Sequence, residues 1–210
     1  MLYQHRINSH TEMAVWKIEE PDSFFTEQIS IPVPPSHPVK RLQHFAGRLL
    51  LKKLQTDFPL ESIQSQPGEK PFLPDHIYQF SISHSDKIAA AIISQTQPVG
   101  IDVEMITDKA LRVAHKFLSE EEMQLIGNDS KEDATLLWSI KETVFKWYGL
   151  GSVDFREDMQ IKNITEEKDE NTATCFFRKT NQMLNVNFMR MENMVVSWLI
   201  NNHLPLSPSR

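Results

Sequence analysis

Three neighbouring segments in the middle of the chain decide the fold: Phe80-Ser-Ile-Ser-His-Ser85, Ile88-Ala-Ala-Ala-Ile-Ile93 and Pro98-Val-Gly-Ile-Asp-Val-Glu104. Each is short, largely apolar and bounded by turn residues, which predicts a strand. The polar turn around Asp86 joins the first two strands as a hairpin. Because side chains alternate along a strand, Ser83 and Ser85 share one face and His84 takes the other.

Helical patterns lie on both sides of this region. Residues 39–54 repeat apolar side chains at helical spacing after a proline-rich loop at 31–38, and residues 131–148 predict a helix that ends at Gly149. A shorter helix is predicted at 111–118, followed by a capping box formed by Ser119 and Glu122. Further strands are predicted at 13–18, 155–161, 173–178, 184–191 and 195–200, with a charged hairpin tip at 165–172. Each half of the chain thus combines helices with a small antiparallel sheet.

The composition excludes several classes of protein. The chain has 210 residues, of which 40% are hydrophobic and 24% charged, and this mixture is typical of a globular fold. A net charge of -6 argues against wrapping nucleic acid. No run reaches the roughly 18 apolar residues of a membrane span, and charged residues interrupt the first 20 positions, where a signal peptide needs an apolar core. The single cysteine, Cys175, excludes an internal disulfide, so we expect a soluble cytoplasmic protein.

The third strand segment carries two acids. Asp102 and Glu104 are two positions apart and project to the same face, whereas Ile101 and Val103 face the core. Two carboxylates on one face suit Mg²⁺, which binds hard oxygen ligands and completes its octahedron with phosphates and waters. An edge strand with an outward acidic face is the alternative, and the pentapeptide alone favours that interpretation.

The helix at 131–148 carries the next group of charges, in Trp138-Ser-Ile-Lys-Glu-Thr-Val-Phe-Lys146. Glu142 and Lys146 are four residues apart and share a helix face. One interpretation is a surface ion pair worth about 0.3–0.5 kcal/mol. The other makes Glu142 a third carboxylate for a metal ion and makes Lys141 and Lys146 cations for a bound phosphate. The helix alone does not decide between them.

The Ser83-His84-Ser85 triplet also has two interpretations. A serine hydrolase would need a Gly-x-Ser-x-Gly turn, which is absent from the chain. A histidine with hydroxyl neighbours could equally contact a phosphate. The spacing of the remaining histidines gives little support to a zinc site.

In combination, these segments resemble the 4′-phosphopantetheinyl transferases of the single-chain type. That family carries Gly-Ile-Asp-[Ile/Val]-Glu and then Trp-Ser-x-Lys-Glu-x-x-x-Lys, which occur here at 100–104 and 138–146, with Ser-His-Ser upstream. Gly68-Glu-Lys-Pro71 resembles the family's Gly-Lys-Pro loop with one extra residue. The resemblance spans about residues 40–150, and the C-terminal strands match no family motif.

The resemblance implies an α+β fold that is a pseudo-dimer of two similar lobes, each a small antiparallel sheet packed with helices. It assigns residues 1–97 to the N-terminal lobe and 98–210 to the C-terminal lobe, with the active site in the cleft between them. It also implies that the protein is a monomer.

The resemblance further implies an enzyme that transfers the 4′-phosphopantetheine arm of coenzyme A to a serine of an apo acyl or peptidyl carrier protein, releasing 3′,5′-ADP. The implied metal is Mg²⁺, with Mn²⁺ in its place as an alternative, and neither nucleic acid nor a membrane is an expected partner. One alternative is a non-catalytic relative that binds carrier protein or coenzyme A; three converging acids argue against it. Another is a different Mg²⁺-dependent nucleotide phosphotransferase, although the chain has no Gly-x-x-x-x-Gly-Lys-[Ser/Thr] loop.

The matched residues take their roles from the resemblance. Asp102, Glu104 and Glu142 are the implied metal ligands. Glu142 is also the leading candidate for the base that accepts the serine proton, and Lys146 and His84 complete the implied catalytic set. The implied coenzyme A contacts are Arg41, Arg48, Lys70, Ser83, His84, Lys141 and Lys146.

Overall fold

The computed structural model describes residues 3–31, 34–66, 68–167 and 171–201. Within these ranges the strands are β1 (Tyr3–Asn8), β2 (Thr11–Lys17), β3 (Gln79–Ser85), β4 (Ile88–Ser94), β5 (Val99–Met105), β6 (Met159–Glu166), β7 (Asn171–Phe177), β8 (Gln182–Met191) and β9 (Met194–Ile200). The α-helices are α1 (Asp22–Thr26), α2 (Pro38–Leu54), α3 (Asp108–Phe117), α4 (Glu120–Met123) and α5 (Lys131–Tyr148). These elements form two antiparallel sheets with associated helices, which confirms the predicted α+β class with two similar lobes.

The first sheet has the strand order β1-β2-β4-β3. Strands β3 and β4 form the predicted hairpin, and its turn holds Asp86 at a φ of 49°. Helix α2 begins with Pro38, because a proline at the first helical position loses no intrahelical hydrogen bond. The buried side of α2, including Phe45 and Leu50, packs with Ala14 and Trp16 of β2 in one apolar core.

The second sheet has the order β5-β9-β8-β7-β6, and α5 packs against one of its faces. Ser130 caps α5 by accepting a hydrogen bond from the Asp133 amide, and Gly149 ends it with a φ of 73°. Gly100 lets β5 approach the helix, because a Cβ at this position would lie 2.3 Å from the Thr143 carbonyl oxygen. None of the helices in the described ranges combines the length and the apolar character needed to cross a bilayer.

The remaining faces of the two sheets pack against each other. The residues of this layer are each at most 4% exposed: Met13, Val15, Ile88, Ala90, Ile92, Val99, Ile101, Val103, Met194 and Val196. Burial of apolar area at about 25 cal/mol per Å² makes such a layer a main stabilising contact between two sheets. The layer also sets β5 beside β3, although the two strands belong to different sheets.

Local sequence signals located most elements, and the capping box of Ser119 and Glu122 is confirmed with both of its hydrogen bonds. Strand β1 and helix α1 were not predicted. Strand β1 lies at the edge of its sheet and is mostly exposed, so it lacks the apolar alternation that marks a strand. Residues 32 and 33 of the predicted proline-rich loop at 31–38 lie outside the described residues.

The largest boundary errors lie around β6. A strand was predicted at 155–161, but β6 begins only at Met159. Asp154 and Asp158 close a turn before it, in which the Asp154 amide donates to Asp158 Oδ2 at 2.9 Å. The predicted tip at 165–172 is shorter, because β6 and β7 extend into it, and residues 168–170 lie outside the described residues.

Candidate active site

Strand β5 presents Asp102 and Glu104 on the side that faces α5. Their neighbours Ile101 and Val103 are fully buried in the layer between the sheets, so the predicted alternation of faces is confirmed. The Trp138 indole of α5 donates to Glu104 Oε1 at 3.1 Å. Asp102 is only 1% exposed. The acidic face of β5 is therefore covered by the helix, so β5 is an edge strand of its sheet but its acidic face does not point outward.

Helix α5 adds Glu142 and Lys146 on the same face as Trp138, since residues four apart are neighbours on a helix. Lys146 Nζ lies 4.0 Å from Glu142 Oε2 but 2.5 Å from Asp102 Oδ1. The ammonium group is thus shared between strand and helix, with its shorter contact to the strand. An isolated surface pair of Glu142 and Lys146 does not describe this arrangement.

The concentration of carboxylates changes their affinity for protons. Burial raises the pKa of Glu142 to about 7; the Lys146 charge opposes the shift, and the charges of Asp102 and Glu104 add to it. Burial and then the Asp102 charge raise the pKa of Glu104, against two hydrogen bonds that its carboxylate accepts. The site therefore holds more negative charge than Lys146 alone compensates, and an additional cation would favour the ionised acids.

Two observations fit these acids to a divalent cation. Asp102 Oδ2 is buried and accepts no hydrogen bond from the described residues, which is costly for a carboxylate oxygen unless a ligand satisfies it. The donor set of Asp102, Glu104 and Glu142 consists of carboxylate oxygens, the ligands that Mg²⁺ prefers. In the described ranges no group of three or more histidine, cysteine or acidic side chains is arranged to hold a metal ion. The Lys146 ammonium is the cation next to Asp102.

Arg48 of α2 and two histidines, His44 of α2 and His84 of β3, form a group of basic side chains. Arg48 Nη1 is 3.1 Å from Nδ1 of His44, one helical turn earlier. Burial, together with the charges of Arg48 and His84, lowers the pKa of His44 to about 4, so this histidine is neutral and accepts from the guanidinium. Burial and then the Lys146 charge lower the pKa of His84. Arg48 thus gives this region a permanent positive charge that continues to Lys146, as an anion would require.

A cavity of about 320 Å³ lies between residues of the two lobes. Its lining includes Lys70, Pro71, Phe80 and Ile82 from the first lobe and Phe145, Lys146 and Gly149 from the second. The walls are thus largely apolar, with two lysines as the cationic groups. This composition suits a ligand that has both an apolar ring and anionic groups.

The loop that carries Lys70 is fixed to the end of α5. The Lys70 amide donates to the Gly149 carbonyl at 3.2 Å, and Lys70 Nζ donates to the Val99 carbonyl at 2.7 Å. A Cβ at Gly151 would lie 2.7 Å from the Gly68 carbonyl oxygen, so this close approach requires glycine. Burial lowers the pKa of Lys70 to about 7. Its charge at neutral pH therefore depends on whether an anion lies nearby.

Lys141 does not lie at this site, which corrects the prediction that it contacts a phosphate. It is 0% exposed. Its ammonium donates to Glu122 Oε2 at 2.8 Å and to the carbonyls of Phe117, Phe155 and Met159 at 2.8–2.9 Å. An ammonium has three hydrogens, so four acceptors leave none for a ligand. Lys141 instead stabilises the C-terminal lobe.

Ser83 is also corrected as a coenzyme A contact. It is 4% exposed, and its hydroxyl donates to Asp102 Oδ1 at 2.8 Å. The Ser83 hydroxyl oxygen also accepts from the Val103 amide at 3.2 Å and from Lys146 Nζ at 2.8 Å. A hydroxyl has one donor and two acceptor positions, and all three are used within the protein.

Arg41 lies in the first turn of α2, where its Nε donates to Asp22 Oδ1 of α1 at 3.1 Å. It is seven residues before Arg48, so the two share a helix face about 10 Å apart along the axis. A contact of Arg41 with coenzyme A stays a prediction. The same holds for the predicted roles of Arg48, Lys70 and His84.

The roles of three residues were not predicted from the sequence: two contact residues of the site, and one holds Lys141 away from it. Ser85 donates to Glu104 Oε2 at 2.7 Å, His44 bonds to Arg48, and Glu122 bonds to Lys141. The alternating serines at 81, 83 and 85 and the four-residue spacing of His44 and Arg48 were available as signals. Glu122 was recognised only as a helix cap, because its partner on α5 is distant in sequence.

The model of the ACPS family, the 4′-phosphopantetheinyl transferase superfamily, matches residues 98–192, which include both acidic segments. The 4′-phosphopantetheinyl transferase gsp of Aneurinibacillus migulanus is 37% identical over 114 residues, covering 50% of this chain and 47% of the relative. Sfp of Bacillus subtilis (strain 168) is 28% identical over 143 residues, covering 62% of each chain.

AcpT of Escherichia coli (strain K12), also named a 4′-phosphopantetheinyl transferase, is 32% identical over 116 residues, covering 52% of this chain and 59% of the relative. Residues 98–192 thus match the model of the 4′-phosphopantetheinyl transferase superfamily, and the three relatives are each named a 4′-phosphopantetheinyl transferase. The chain spans about half to three fifths of the length of these curated relatives.

Proposed function

We propose that this protein is a 4′-phosphopantetheinyl transferase that moves the 4′-phosphopantetheine arm of coenzyme A to a serine of an apo acyl or peptidyl carrier protein. The serine oxygen forms a bond to the phosphorus that carries the arm, the bond from this phosphorus to the bridging oxygen breaks, and 3′,5′-ADP leaves. The serine proton passes to a base. The names of the relatives and the chemistry of the site both support this reaction.

The observation that carries the proposal is the meeting of β5 and α5. It brings three carboxylates and Lys146 into one largely buried cluster, beside a cavity that Lys146 also lines. Phosphoryl transfer requires this combination, because the enzyme must neutralise a diphosphate and hold the reacting groups in line. A module that only binds a carrier protein would have no use for a buried acid with an unpartnered oxygen.

Glu142 is the proposed general base. Its pKa of about 7 lets a fraction of the side chain remain ionised near neutral pH and still accept a proton readily. A base placed in this way typically contributes about 10²–10⁴ to the rate. Lys146 and His84 are proposed to pair with the diphosphate, where a cation stabilises the charge that develops on the leaving oxygen.

Asp102, Glu104 and Glu142 are proposed to hold Mg²⁺, or Mn²⁺ in its place. When bound, the ion supplies positive charge to the diphosphate oxygens. The chain's own part is to bring the three acids close together, and a bound cation would favour their ionised forms. The unpartnered Asp102 Oδ2 supports this assignment.

Arg48, Lys70 and His84, with Arg41 more distantly, are the proposed contacts for the remaining phosphates of coenzyme A. The cavity between the lobes is the proposed place of its nucleotide end. The proposal includes the division into lobes 1–97 and 98–210, with the active site in the cleft between them. It also includes a cytoplasmic monomer, in keeping with the free thiol of Cys175.

Intact-protein mass spectrometry tests the proposed reaction. The purified protein is incubated with coenzyme A, Mg²⁺ and an apo acyl or an apo peptidyl carrier protein, and the carrier is expected to gain one phosphopantetheine. Reactions without coenzyme A or with a chelator serve as controls. If neither carrier changes mass, the proposal is wrong, and calorimetric binding of coenzyme A without transfer would favour the non-catalytic relative.

A further inference from the structure

Three serines of β3 join the two sheets through side chains where a backbone ladder would otherwise run. We call Ser81, Ser83 and Ser85 the serine seam. Each serine Oγ accepts a hydrogen bond from a backbone amide of β5. The Ile101 amide donates to Ser81 Oγ (3.3 Å), the Val103 amide to Ser83 Oγ (3.2 Å) and the Met105 amide to Ser85 Oγ (3.2 Å). The seam thus satisfies every second amide of β5, which would otherwise be an unpaired edge.

Two of the three seam serines also hold an acid. Ser83 donates to Asp102 Oδ1 at 2.8 Å, and Ser85 donates to Glu104 Oε2 at 2.7 Å. Each of these serines accepts from the amide of one β5 residue and donates to the carboxylate of the residue before it. At Ser81 the corresponding residue is Gly100, which has no side chain. Ser83 and Ser85 therefore each bond to a carboxylate, whereas Ser81 is bonded only to the backbone amide.

The bonds of the seam fix which carboxylate oxygens are left for other partners. Asp102 Oδ1 accepts from Ser83 and Lys146, while Oδ2 is buried without a partner among the described residues. Glu104 is held from both sides, by Ser85 on Oε2 and by Trp138 on Oε1. Groups that support ligating carboxylates in this way typically change metal affinity or activity by 10–100-fold when they are removed.

We propose that Ser83 and Ser85 are positioning residues, through which the N-terminal lobe sets the orientation of the two acids supplied by the C-terminal lobe. The proposal rests on the proposed function, because it gives the acids their task. It differs from the predicted role of Ser83 as a coenzyme A contact. It also gives a role to Ser85, which is not among the residues that line the cavity.

The test compares Ser85→Ala with Ser81→Ala as a matched control. Each variant loses one hydrogen bond from a backbone amide of β5 to a serine hydroxyl. Only Ser85→Ala also loses a hydrogen bond to a carboxylate, that of Glu104. We expect similar falls in melting temperature for both variants. Because Ser81 also lines the cavity, Mn²⁺ binding is followed by electron paramagnetic resonance without coenzyme A and without carrier protein. It is expected to weaken by about 10–100-fold in Ser85→Ala and to stay closer to the wild-type value in Ser81→Ala.

Kinetics supply a second readout. With Ser85→Ala we expect kcat to fall while KM for coenzyme A changes little, since Ser85 is not among the residues that line the cavity. Ser85→Thr, which keeps the hydroxyl, is expected to restore both readouts, whereas Ser85→Val, which has nearly the same shape, is not. This pair also keeps the test valid if Ser85→Ala folds poorly.

The outcomes separate the two proposals. A wild-type protein without transferase activity would contradict the proposed function. Equal Mn²⁺ affinity in Ser85→Ala and Ser81→Ala, or equal behaviour of Ser85→Thr and Ser85→Val, would overturn the positioning role whether or not the wild type is active. A selective loss in Ser85→Ala and Ser85→Val supports it.

Discussion

Two lysines of helix α5, Lys141 and Lys146, are five residues apart, and each pairs with a buried carboxylate. Lys141 contacts Glu122 at 2.8 Å, and both side chains are at most 3% exposed. Lys146 contacts Asp102 at 2.5 Å, and the lysine is 22% exposed. The two lysines come from one motif and one helix, yet the surroundings of the structural pair differ from those of the pair in the proposed active site.

The Lys141 pair is complete. Glu122 also accepts from the amides of Ser119 and Ile161, each at 2.8 Å, and all ammonium hydrogens of Lys141 have acceptors. The Lys146 pair is incomplete, because Asp102 Oδ2 has no partner in the described part of the chain. Burial and charge are therefore common to both pairs, and what distinguishes the Lys146 pair is a carboxylate oxygen without a hydrogen-bond partner among the described residues.

The largest effect is expected from Lys141→Met, which keeps the length of the side chain and removes its charge. Glu122 would then be a buried anion without its cation, so we expect the free energy of unfolding to fall by about 3–5 kcal/mol. Urea denaturation measures the change, with Lys146→Met as the matched variant on the same helix. If the two variants lose equal stability, the comparison between the pairs does not hold.

Glu142→Gln sharpens the comparison from the side of activity. The amide keeps the shape but cannot accept the serine proton, so we expect turnover to fall by at least about 10²-fold with little change in melting temperature. Initial rates against coenzyme A concentration provide the measurement. Glu132→Gln, an exposed acid in the first turn of α5, is the control and should retain its rate; wild-type turnover in folded Glu142→Gln would remove Glu142 from the mechanism.

Lys146→Ala is expected to affect both binding and rate, unlike Glu142→Gln. A charged hydrogen bond is typically worth about 1.5–3 kcal/mol, so kcat/KM for coenzyme A should fall by about 10–100-fold. The fall should be shared between a higher KM and a lower kcat, because the diphosphate is held before and during the reaction. A variant with unchanged KM would place Lys146 at the acids only.

The smallest effect concerns Cys175, which lies in β7 on the side of the complete pair. Burial raises the pKa of its thiol to about 12, so about one molecule in 10⁴ would carry a thiolate at pH 8. We expect no alkylation of the folded protein by iodoacetamide at that pH and rapid alkylation in urea. Mass spectrometry distinguishes the two states, and Cys175→Ala should retain full turnover.

Local signals were sufficient for the elements that build the site. The alternation along β5 fixed the common face of Asp102 and Glu104, and glycine at 149 fixed the end of α5. Strand β1 was missed because a polar edge strand leaves no periodic pattern. Such an element forms only because β2 already offers it hydrogen-bonding groups.

The site was less predictable where partners come from distant segments. Lys141 looked equivalent to Lys146 in the motif, because the sequence does not reveal that the carbonyls of Phe155 and Met159 surround it. Ser83 looked like a ligand contact for the same reason, since the acids opposite it belong to the other sheet. In both cases the error concerned which groups were already satisfied within the fold.

The apolar layer between the sheets has a consequence for how the protein is made. Its first half consists of residues of β2 and β4, and its last members, Met194 and Val196, are on β9. At a synthesis rate of about 5–20 residues per second, the finished N-terminal sheet would wait about 5–20 s before the ribosome delivers its cover. During that interval the nascent chain would expose the apolar residues of β2 and β4, which favours aggregation. Chaperone availability and temperature during expression should therefore affect the yield of folded protein.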